Sequence, residues 1–400
     1  MDELNDRVES VIKEQCTAIH PAVEWRFRRA ALKYLRGQNE GAAAAMEPIV
    51  FNDVYPLYGL SDIRGSSTLR NDSIRADLAE QLQMAREIIV AAHQNKPLSF
   101  LAQLNHRIGS QLRKIEKGLG SGDEVNVLEF LRWEVELHFD HLKNFGAAVA
   151  EKISSYRSGL DPLFGAVYRR RKSYETSVAR LNEALCAYID AEQEKAQAMF
   201  PHYFEKYKSD GVEHNIYIGA SLVEDGKFDP LYLKNIRLWQ LMLLCGVARQ
   251  AEKLKPKLDI PLEMAHLILA QNLPLAIRFR YDEKKFDVDG TYNVRYEIMK
   301  KRIDKAVIKG TGERLTQPGQ IAIVYSHARE AAEYREYIDY LQASGYLAEE
   351  VEEYELEDLQ GMHGLRALRV AVNMQASMLK PPAKKKDVQP MLQEMSDVAV

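Results

Sequence analysis

Over a long stretch of the first half of this chain, the apolar residues recur with the spacing of an α-helix and with no other period. This feature constrains the fold more than any other. Between Ser73 and Gln94, the apolar residues Ile74, Leu78 and Leu82 recur at the spacing of one helix face. Segments with the same pattern follow after short polar breaks, at 99–117, 125–144, 147–156 and 171–199. Because consecutive helices with short connections pack against one another, the sequence predicts a helical bundle over 72–205.

The pattern changes after Pro201 to an alternation of strands and helices. Strands are predicted at 214–223, 264–270, 275–283, 320–326, 351–357 and 365–372, and helices at 230–253, 293–308 and 328–343. This order predicts an α+β domain over 206–376 with a mixed or antiparallel sheet. The predicted fold class is therefore α+β and mostly helical, with an N-terminal multi-helix bundle followed by the α+β domain.

The two ends of the chain complete the predicted organisation. Residues 1–71 are predicted to form N-terminal helices, then a strand and a polar loop, since 48–71 holds two prolines and two glycines among β-branched and aromatic residues. The C-terminal composition, which includes KPPAKKKDVQP, predicts a disordered tail over 377–400. With 22 glycines and 14 prolines in 400 residues, a turn-rich all-β fold is disfavoured.

The charge and cysteine content argue against some partners and indicate the cellular compartment. The 54 Lys and Arg residues nearly balance the 58 Asp and Glu residues, so the net charge of −4 argues against a nucleic-acid partner bound by bulk charge. The three cysteines, Cys16, Cys186 and Cys245, are widely spaced and form no CxxC motif, as is typical of a reducing compartment. No apolar run is long enough for a membrane helix, and the start is acidic. We expect a soluble cytoplasmic protein.

The loop predicted over 53–71 is the leading candidate for ligand binding. Arg64 and Arg70 offer guanidinium groups for a phosphate or carboxylate, and the segment from Gly65 to Ser67 offers backbone N–H groups. The alternative is that Asp62 and the arginines pair and hold the loop on the bundle. The candidate ligand-binding residues are Asp53, Tyr58, Asp62, Arg64, Ser66, Ser67, Arg70 and Asn71.

The string SDIRGSS at 61–67 is also similar to the first metal-binding strand of class III nucleotide cyclases. In that family an Asp-Ile-x-Gly string supplies an aspartate that binds metal, which here is Asp62. The string GSGDEVNVLEF at 120–130 resembles the later Gly-Asp hairpin of the family, so the resemblance implies Asp123 as the second aspartate and Mg²⁺ as the cofactor. Two features depart from the family, because the intervening residues and 125–144 are both predicted to be helical.

A second candidate site is a metal site within WEVELHFDH at 133–141. On a regular helix Glu134, His138 and His141 follow at i, i+4 and i+7 and share one face, and imidazole and carboxylate groups suit zinc or iron. A ferritin-like site requires a second copy of such a motif, which the sequence lacks. The alternative is that these histidines are solvated or lie at the edge of the core.

Two further observations concern the α+β domain. His214 and His327 stand next to predicted strands, where functional histidines are common, but the sequence shows no partner for either. A basic set could hold a phosphate, or could be covered by the acidic residues 349–358. Its members are Arg278, Arg280, Lys300, Lys301, Arg302, Lys305, Lys309 and Arg314.

Three strings together resemble one family: IVFNDVYPLYGLSDIRGSS, FPHYFEKYKSDGVEHNIYIG and ERLTQPGQIAIVYS. They are similar to the C-terminal region of uncharacterised bacterial GAF-domain-containing signalling proteins, over about residues 20–375. The resemblance implies a signalling context. We therefore expect a non-catalytic regulatory or sensory module without a cofactor, acting as a homodimer or with a signalling partner. The alternative is a nucleotide- or anion-binding enzyme with its site on 53–71, which would use Mg²⁺.

Overall fold

Two compact units divide the chain in the computed structural model, which describes residues 8–9, 11–12, 19–39, 45–359 and 361–375. The first, here called the sheet unit, takes the described residues up to Asp62, those from Leu185 to Glu252, and those from Met264 onward. The second, the helical unit, consists of Ile63–Ala184 and Lys253–Glu263.

The helices are α1 (Glu24–Asn39), α2 (Ser66–Asn95), α3 (Ser99–Glu116), α4 (Asp123–Phe130), α5 (Phe139–Leu142), α6 (Ala147–Gly159), α7 (Arg169–Met199), α8 (Pro230–Leu254), α9 (Thr291–Lys300) and α10 (Ala328–Ala343). The strands are β1 (Val50–Ile63), β2 (Tyr203–Ser209), β3 (Gly211–Ile218), β4 (Met264–Leu269), β5 (Leu275–Arg280), β6 (Lys285–Asp289), β7 (Gln320–Tyr325), β8 (Leu347–Glu355) and β9 (Arg366–Val372). The predicted class, α+β and mostly helical with a mixed sheet, is confirmed.

The nine strands form one mixed sheet in the order β2-β3-β1-β4-β7-β9-β8, and the β5–β6 hairpin pairs with the start of β1. β4 and β7 are parallel, whereas the β2–β3, β3–β1, β7–β9 and β9–β8 pairs are antiparallel. Every residue of β4 is buried, which explains its continuous apolar sequence, because a central strand is covered on both faces. The edge strand β8 carries five glutamates, and charged side chains on an edge strand disfavour pairing with another chain.

Helices cover both faces of the sheet. On one face α8 and α10 pack on β4, β7 and β9, with side chains such as Leu244 and Ile338 against Ile323. On the other face α1 and α9 join β5 and β6 in a second core, where Phe27 makes edge-on ring contacts with Phe279 and Phe286. The central strands are thus held on both sides by apolar packing.

The helical unit has a core of its own. Side chains of α2, including Leu82 and Ile89, pack with Leu104 of α3, Phe139 of α5 and Ile153 of α6. In its polar interior, the Asp77 carboxylate accepts hydrogen bonds from the backbone N–H groups of Arg170 and Arg171, at 2.8 and 2.9 Å. These bonds satisfy two N–H groups at the start of α7.

Several element predictions need correction. The predicted loop over 53–71 is wrong, because β1 continues to Ile63 and α2 begins at Ser66 after a left-handed Gly65. The helix predicted over 125–144 is broken: a π-helical segment, Leu131–Val135, and a 3-10 turn, Glu136–His138, separate α4 from α5. Strands β2 and β6 were not predicted from the pattern.

The division into units also differs from the predicted boundaries after residues 71 and 205. β1 lies inside the sheet between β3 and β4, so it belongs with strands far along the chain. The sheet unit also takes α7 from Leu185 onward. The tail predicted over 377–400 and most of the helix predicted at the N-terminus lie outside the described residues.

Candidate functional site

The end of β1 brings Asp62 beside the tip of the β2–β3 hairpin. Asp62 stands opposite Gly211 in the antiparallel register, and Asp210, the turn residue of the hairpin, directly precedes Gly211. The strands approach closely here, because a Cβ on Gly211 would lie 2.1 Å from the carbonyl oxygen of Ser61. Glycine at this position therefore allows the hairpin tip to approach the end of β1.

Asp62 faces an arginine from a distant part of the chain. The Arg314 Nη2 atom lies 4.0 Å from Asp62 Oδ2 and 3.6 Å from Asp304 Oδ2. The Arg314 Nε–H group donates to the backbone carbonyl of Asp304 at 3.0 Å, which fixes the guanidinium. The three side chains are about a quarter to a third exposed. The first aspartate of the cyclase-like string is thus next to a cation supplied by the chain itself.

The candidate ligand-binding residues divide between the two units. Asp53, Tyr58 and Asp62 belong to the sheet unit, and the rest of the set, Arg64, Ser66, Ser67, Arg70 and Asn71, belongs to the helical unit.

Asp53 and Tyr58 have structural partners in the sheet unit. Asp53 adopts a positive φ of 54°, which is uncommon for a residue other than glycine, and it lies at the irregularity where β1 pairs with β5. Tyr58 is buried, its hydroxyl donates to Glu213 Oε2 at 3.2 Å, and Lys300 Nζ lies 5.8 Å from its ring centroid. Burial, together with the charge of Glu213, raises the pKa of Tyr58 far above its ordinary value. Tyr58 thus acts as a core hydrogen-bond donor in this structure.

In the helical unit, the remaining members of the set lie at the start of α2. The backbone N–H of Arg64 donates to the carbonyl of Glu263 at 2.8 Å, and the carbonyl of Ser66 accepts from the hydroxyl of Tyr174 at 3.2 Å. Gly65 precedes the helix without a side-chain cap. These contacts tie the first turn of α2 to its neighbours within this unit.

The cyclase resemblance assigned the second aspartate wrongly. Residues 120–130 form no hairpin, because Asp123 begins α4. There its carboxylate accepts from Lys114 Nζ at 2.6 Å and from the backbone N–H of Gly120 at 2.8 Å, and these bonds lower its pKa. The hairpin next to Asp62 is instead β2–β3, with Asp210 at its turn.

The predicted metal set is not assembled. The break in the helix removes the regular i, i+4, i+7 geometry on which the prediction depended. Glu134 forms a two-pronged ion pair with Arg107, with one contact at 2.6 Å, and this pair lowers the pKa of Glu134. The rings of His138 and His141 pack edge-on against phenylalanines. Over the described ranges, no group of three or more His, Cys, Asp or Glu side chains is arranged to hold a metal ion.

Members of the basic set also have partners. Arg278 contacts Asp289 at 3.0 Å, and Lys300 contacts Glu297 at 2.8 Å. Lys309 contacts Glu355 of the edge strand β8 at 3.6 Å, as the alternative of acidic cover predicts.

A buried polar cluster beneath α8 was not predicted from the sequence. Ser61 Oγ lies 2.8 Å from His266 Nδ1, and Gln240 Nε2 lies 3.1 Å from His214 Nε2. All four side chains are almost fully buried, and burial lowers the pKa of each histidine to about 4. The sequence signal was the position of His214 next to a predicted strand, but its partner, Gln240, comes from α8, and the second pair joins β1 to β4.

The comparisons with known proteins supply no family. No family model matches the sequence, and no curated protein matches it. Among solved structures, a crystal structure of the guanylyl cyclase Cya2 is similar, with a TM-score of 0.32 and 11% identity over 83% of this chain and 98% of that chain. A TM-score this low supports no conclusion about fold or function. None of the helices that the structure describes has the length and apolar character needed to cross a membrane.

Proposed function

We propose that this chain is a non-catalytic regulatory module of bacterial signal transduction whose sheet unit retains a cyclase-like strand end without its metal. The observation that carries the proposal is the contact of Arg314 with Asp62. A carboxylate binds a divalent cation by directing its oxygens at the cation. In this chain the guanidinium of Arg314, held by Asp304, lies beside Asp62 and competes with a divalent cation for the Asp62 carboxylate. The resemblance to GAF-domain-containing signalling proteins supports the same context.

A second candidate function is a nucleotide-binding enzyme with Mg²⁺. The observation that favours it is the register of β1 and β3, which sets Asp62 next to the hairpin turn that carries Asp210. A carboxylate at a strand end and another in the neighbouring turn form a suitable start for a Mg²⁺ site, which is then completed by nucleotide phosphates. On this alternative, Arg314 would have to release Asp62 when the metal binds.

Thermal unfolding with ATP and GTP, each with and without Mg²⁺, separates the two functions. A ligand at 100 times its dissociation constant adds about 2.7 kcal/mol of stability, enough to move the melting temperature by a few degrees. For a regulatory module we expect no nucleotide-dependent shift in the wild type. A Mg²⁺-dependent shift that disappears in Asp62→Asn would contradict the proposal and support the enzyme.

The variant Arg314→Gln tests the competing cation directly. If Arg314 replaces a metal, removing its charge should allow Mg²⁺ or Mn²⁺ to raise the melting temperature of the variant but not of the wild type. The matched control is Lys309→Gln, which removes an exposed charge from the same unit. Since the Arg314–Asp62 pair is partly exposed, its loss should itself lower stability by only about 1 kcal/mol. Equal metal response of the wild type and Arg314→Gln would refute the competition.

A further inference from the structure

A cavity of about 590 Å³ lies within the sheet unit, at the carboxyl ends of β4 and β7. These strands are parallel and in register from His266 opposite Ile321 to Leu269 opposite Val324, so the segments that follow them emerge side by side. The cavity is lined by residues of both segments, including Leu273 after β4 and His327 after β7. Carboxyl ends of parallel strands are a frequent location of ligand sites, and the volume lies within the usual range for small-molecule pockets.

Most of the lining is apolar. The lining includes Leu273, Pro274 and Leu275, Met299 of α9, and Met362 and Leu365 from the segment before β9. Methionine side chains are flexible and polarisable, so they adapt to the shape of a bound molecule. The ring of Tyr296 also contributes to the wall. Such a lining favours a ligand with a largely apolar body.

The polar edge of the cavity disfavours a charged ligand. None of the described lining residues is an aspartate, glutamate, lysine or arginine. The backbone N–H groups of Ser326 and His327, which an anion would use at the start of α10, both donate to the buried carboxylate of Glu330 at 3.0 Å. This carboxylate also accepts from the backbone N–H of Asn272 at 3.0 Å. At the start of α10 an anion would therefore encounter the Glu330 carboxylate, which already occupies the backbone N–H groups that an anion would bind.

His327 supplies a hydrogen-bond donor at the same edge. Its backbone carbonyl, not its ring, accepts the backbone N–H of Glu330 at 3.0 Å in the first turn of α10. A neutral imidazole carries a proton on one of its two ring nitrogens, so the ring of His327 supplies an N–H donor. Its exposed ring lines the cavity, where this donor can meet a ligand oxygen.

We propose that this cavity binds a neutral, mostly apolar small molecule whose carbonyl oxygen accepts a hydrogen bond from His327. Ketones, esters, lactones and quinones belong to this class. The inference does not depend on Asp62 or Arg314, so it stands or fails separately from the proposed function.

The first test uses two fluorescent probes that share one framework, with the full chain. N-phenyl-1-naphthylamine is neutral, and 1-anilinonaphthalene-8-sulfonate adds a sulfonate to it. We expect the neutral probe to bind at least about tenfold more tightly, because the lining has no lysine or arginine and the backbone N–H groups of Ser326 and His327 are already paired with Glu330. Tighter binding of the sulfonate would overturn the assignment of a neutral ligand.

Substitution of two exposed leucines tests whether the neutral probe binds in this cavity. Leu273→Trp places a larger side chain at the wall of the cavity, while Leu231→Trp adds the same bulk at the start of α8, outside the lining. Both positions are more than half exposed, so neither change should prevent folding. We expect only Leu273→Trp to weaken binding of the neutral probe. Unchanged binding in Leu273→Trp would overturn the location.

Displacement of the neutral probe by benzophenone and by diphenylmethane tests the carbonyl contact. The two molecules have similar bodies, and only benzophenone has the oxygen. We expect benzophenone to displace the probe at about fivefold lower concentration, the weight of one neutral hydrogen bond. His327→Ser removes the imidazole and places a residue that is favoured at a helix N-cap before α10, so it should abolish the difference. Equal displacement in the wild type would overturn the carbonyl contact.

Irradiation of bound benzophenone supplies a readout that does not depend on any variant. The excited ketone adds across a nearby C–H bond and leaves a covalent adduct. We expect mass spectrometry to locate the adduct on Met299 or Met362, which line the cavity. Adducts located only outside the lining residues would refute the site.

Discussion

At the scale of single residues, the histidines buried in the sheet unit make stability depend on pH. Burial lowers the pKa of His202, His214 and His266 to about 4, against about 6.5 in an unfolded chain. The unfolded chain therefore takes up protons first as the pH falls. The stabilisation by each histidine is fully present above about pH 6.5 and is lost progressively towards pH 4, at roughly 3 kcal/mol per group.

The check is the free energy of unfolding in urea, measured between pH 7.5 and pH 4.5. We expect it to fall across this window, and to fall less steeply in His266→Gln, which removes one titrating group. His106→Gln, at an exposed position of the helical unit, is the control and should keep the wild-type slope. An identical slope in His266→Gln and the wild type would show that His266 does not titrate on unfolding.

The sequence predicted those candidate residues that lie within a short recognisable string, but not the residues that the fold brings next to them from elsewhere in the chain. Asp62 was found because its neighbours form a recognisable string. Arg314 and Asp210 were not linked to it, because strand register and a loop far along the chain bring them together. The choice of Asp123 failed because a Gly-Asp pair is equally suited to a hairpin and to the start of a helix, and the latter is formed.

At the scale of elements, the close approach of β1 and β3 depends on Gly211. A Cβ there would lie 2.1 Å from the carbonyl oxygen of Ser61 and 2.9 Å from Asp62 Cα, and backbone atoms cannot move aside cheaply. We expect Gly211→Ala to lower the free energy of unfolding by about 2–3 kcal/mol. In Gly310→Ala, where φ is +80° and no atom lies within 4 Å, only the backbone cost of about 1 kcal/mol should appear. Similar losses in both variants would contradict a steric cause.

Elements with strong periodicity were predictable, and those shaped by tertiary packing were not. Helix α10 was predicted at 328–343, as observed, because its apolar face and boundaries are clear in the sequence. The segment after α4 shows a helical pattern but contains a π-helical segment and 3-10 turns, which pattern analysis does not distinguish from a regular helix. β2 was missed because most of its side chains are at least partly exposed, so its apolar signal is weak.

At the scale of the whole molecule, the two units are interleaved along the chain. Residues 63–184 and 253–263 form the helical unit between segments of the sheet unit. This arrangement cannot be predicted from composition, because β1 and β4 become neighbours only by pairing across a large sequence separation. The predicted contiguous domains followed the order of patterns along the chain, which is the only order that local analysis provides.

Exposed apolar side chains on the helical unit indicate that the chain self-associates. The helical unit is the smaller of the two, yet it holds seven of the fourteen large apolar side chains exposed in the described residues, among them Trp133, Leu137 and Leu163. Exposed apolar side chains concentrated on one part of a protein are typical of an interaction surface. We expect the chain to form a homodimer, with about twice the mass of one chain in light scattering at micromolar concentration.

The double variant Trp133→Glu with Leu163→Glu should shift this dimer towards the monomer, because a charge buried in an apolar interface is costly. Both side chains are largely exposed, so the fold of the unit should tolerate the change, which circular dichroism checks. Leu231→Glu, at an equally exposed site of the sheet unit, should leave the mass unchanged. A wild-type chain that is strictly monomeric would exclude the dimer, whereas a dimer unaffected by the double variant would place its interface elsewhere.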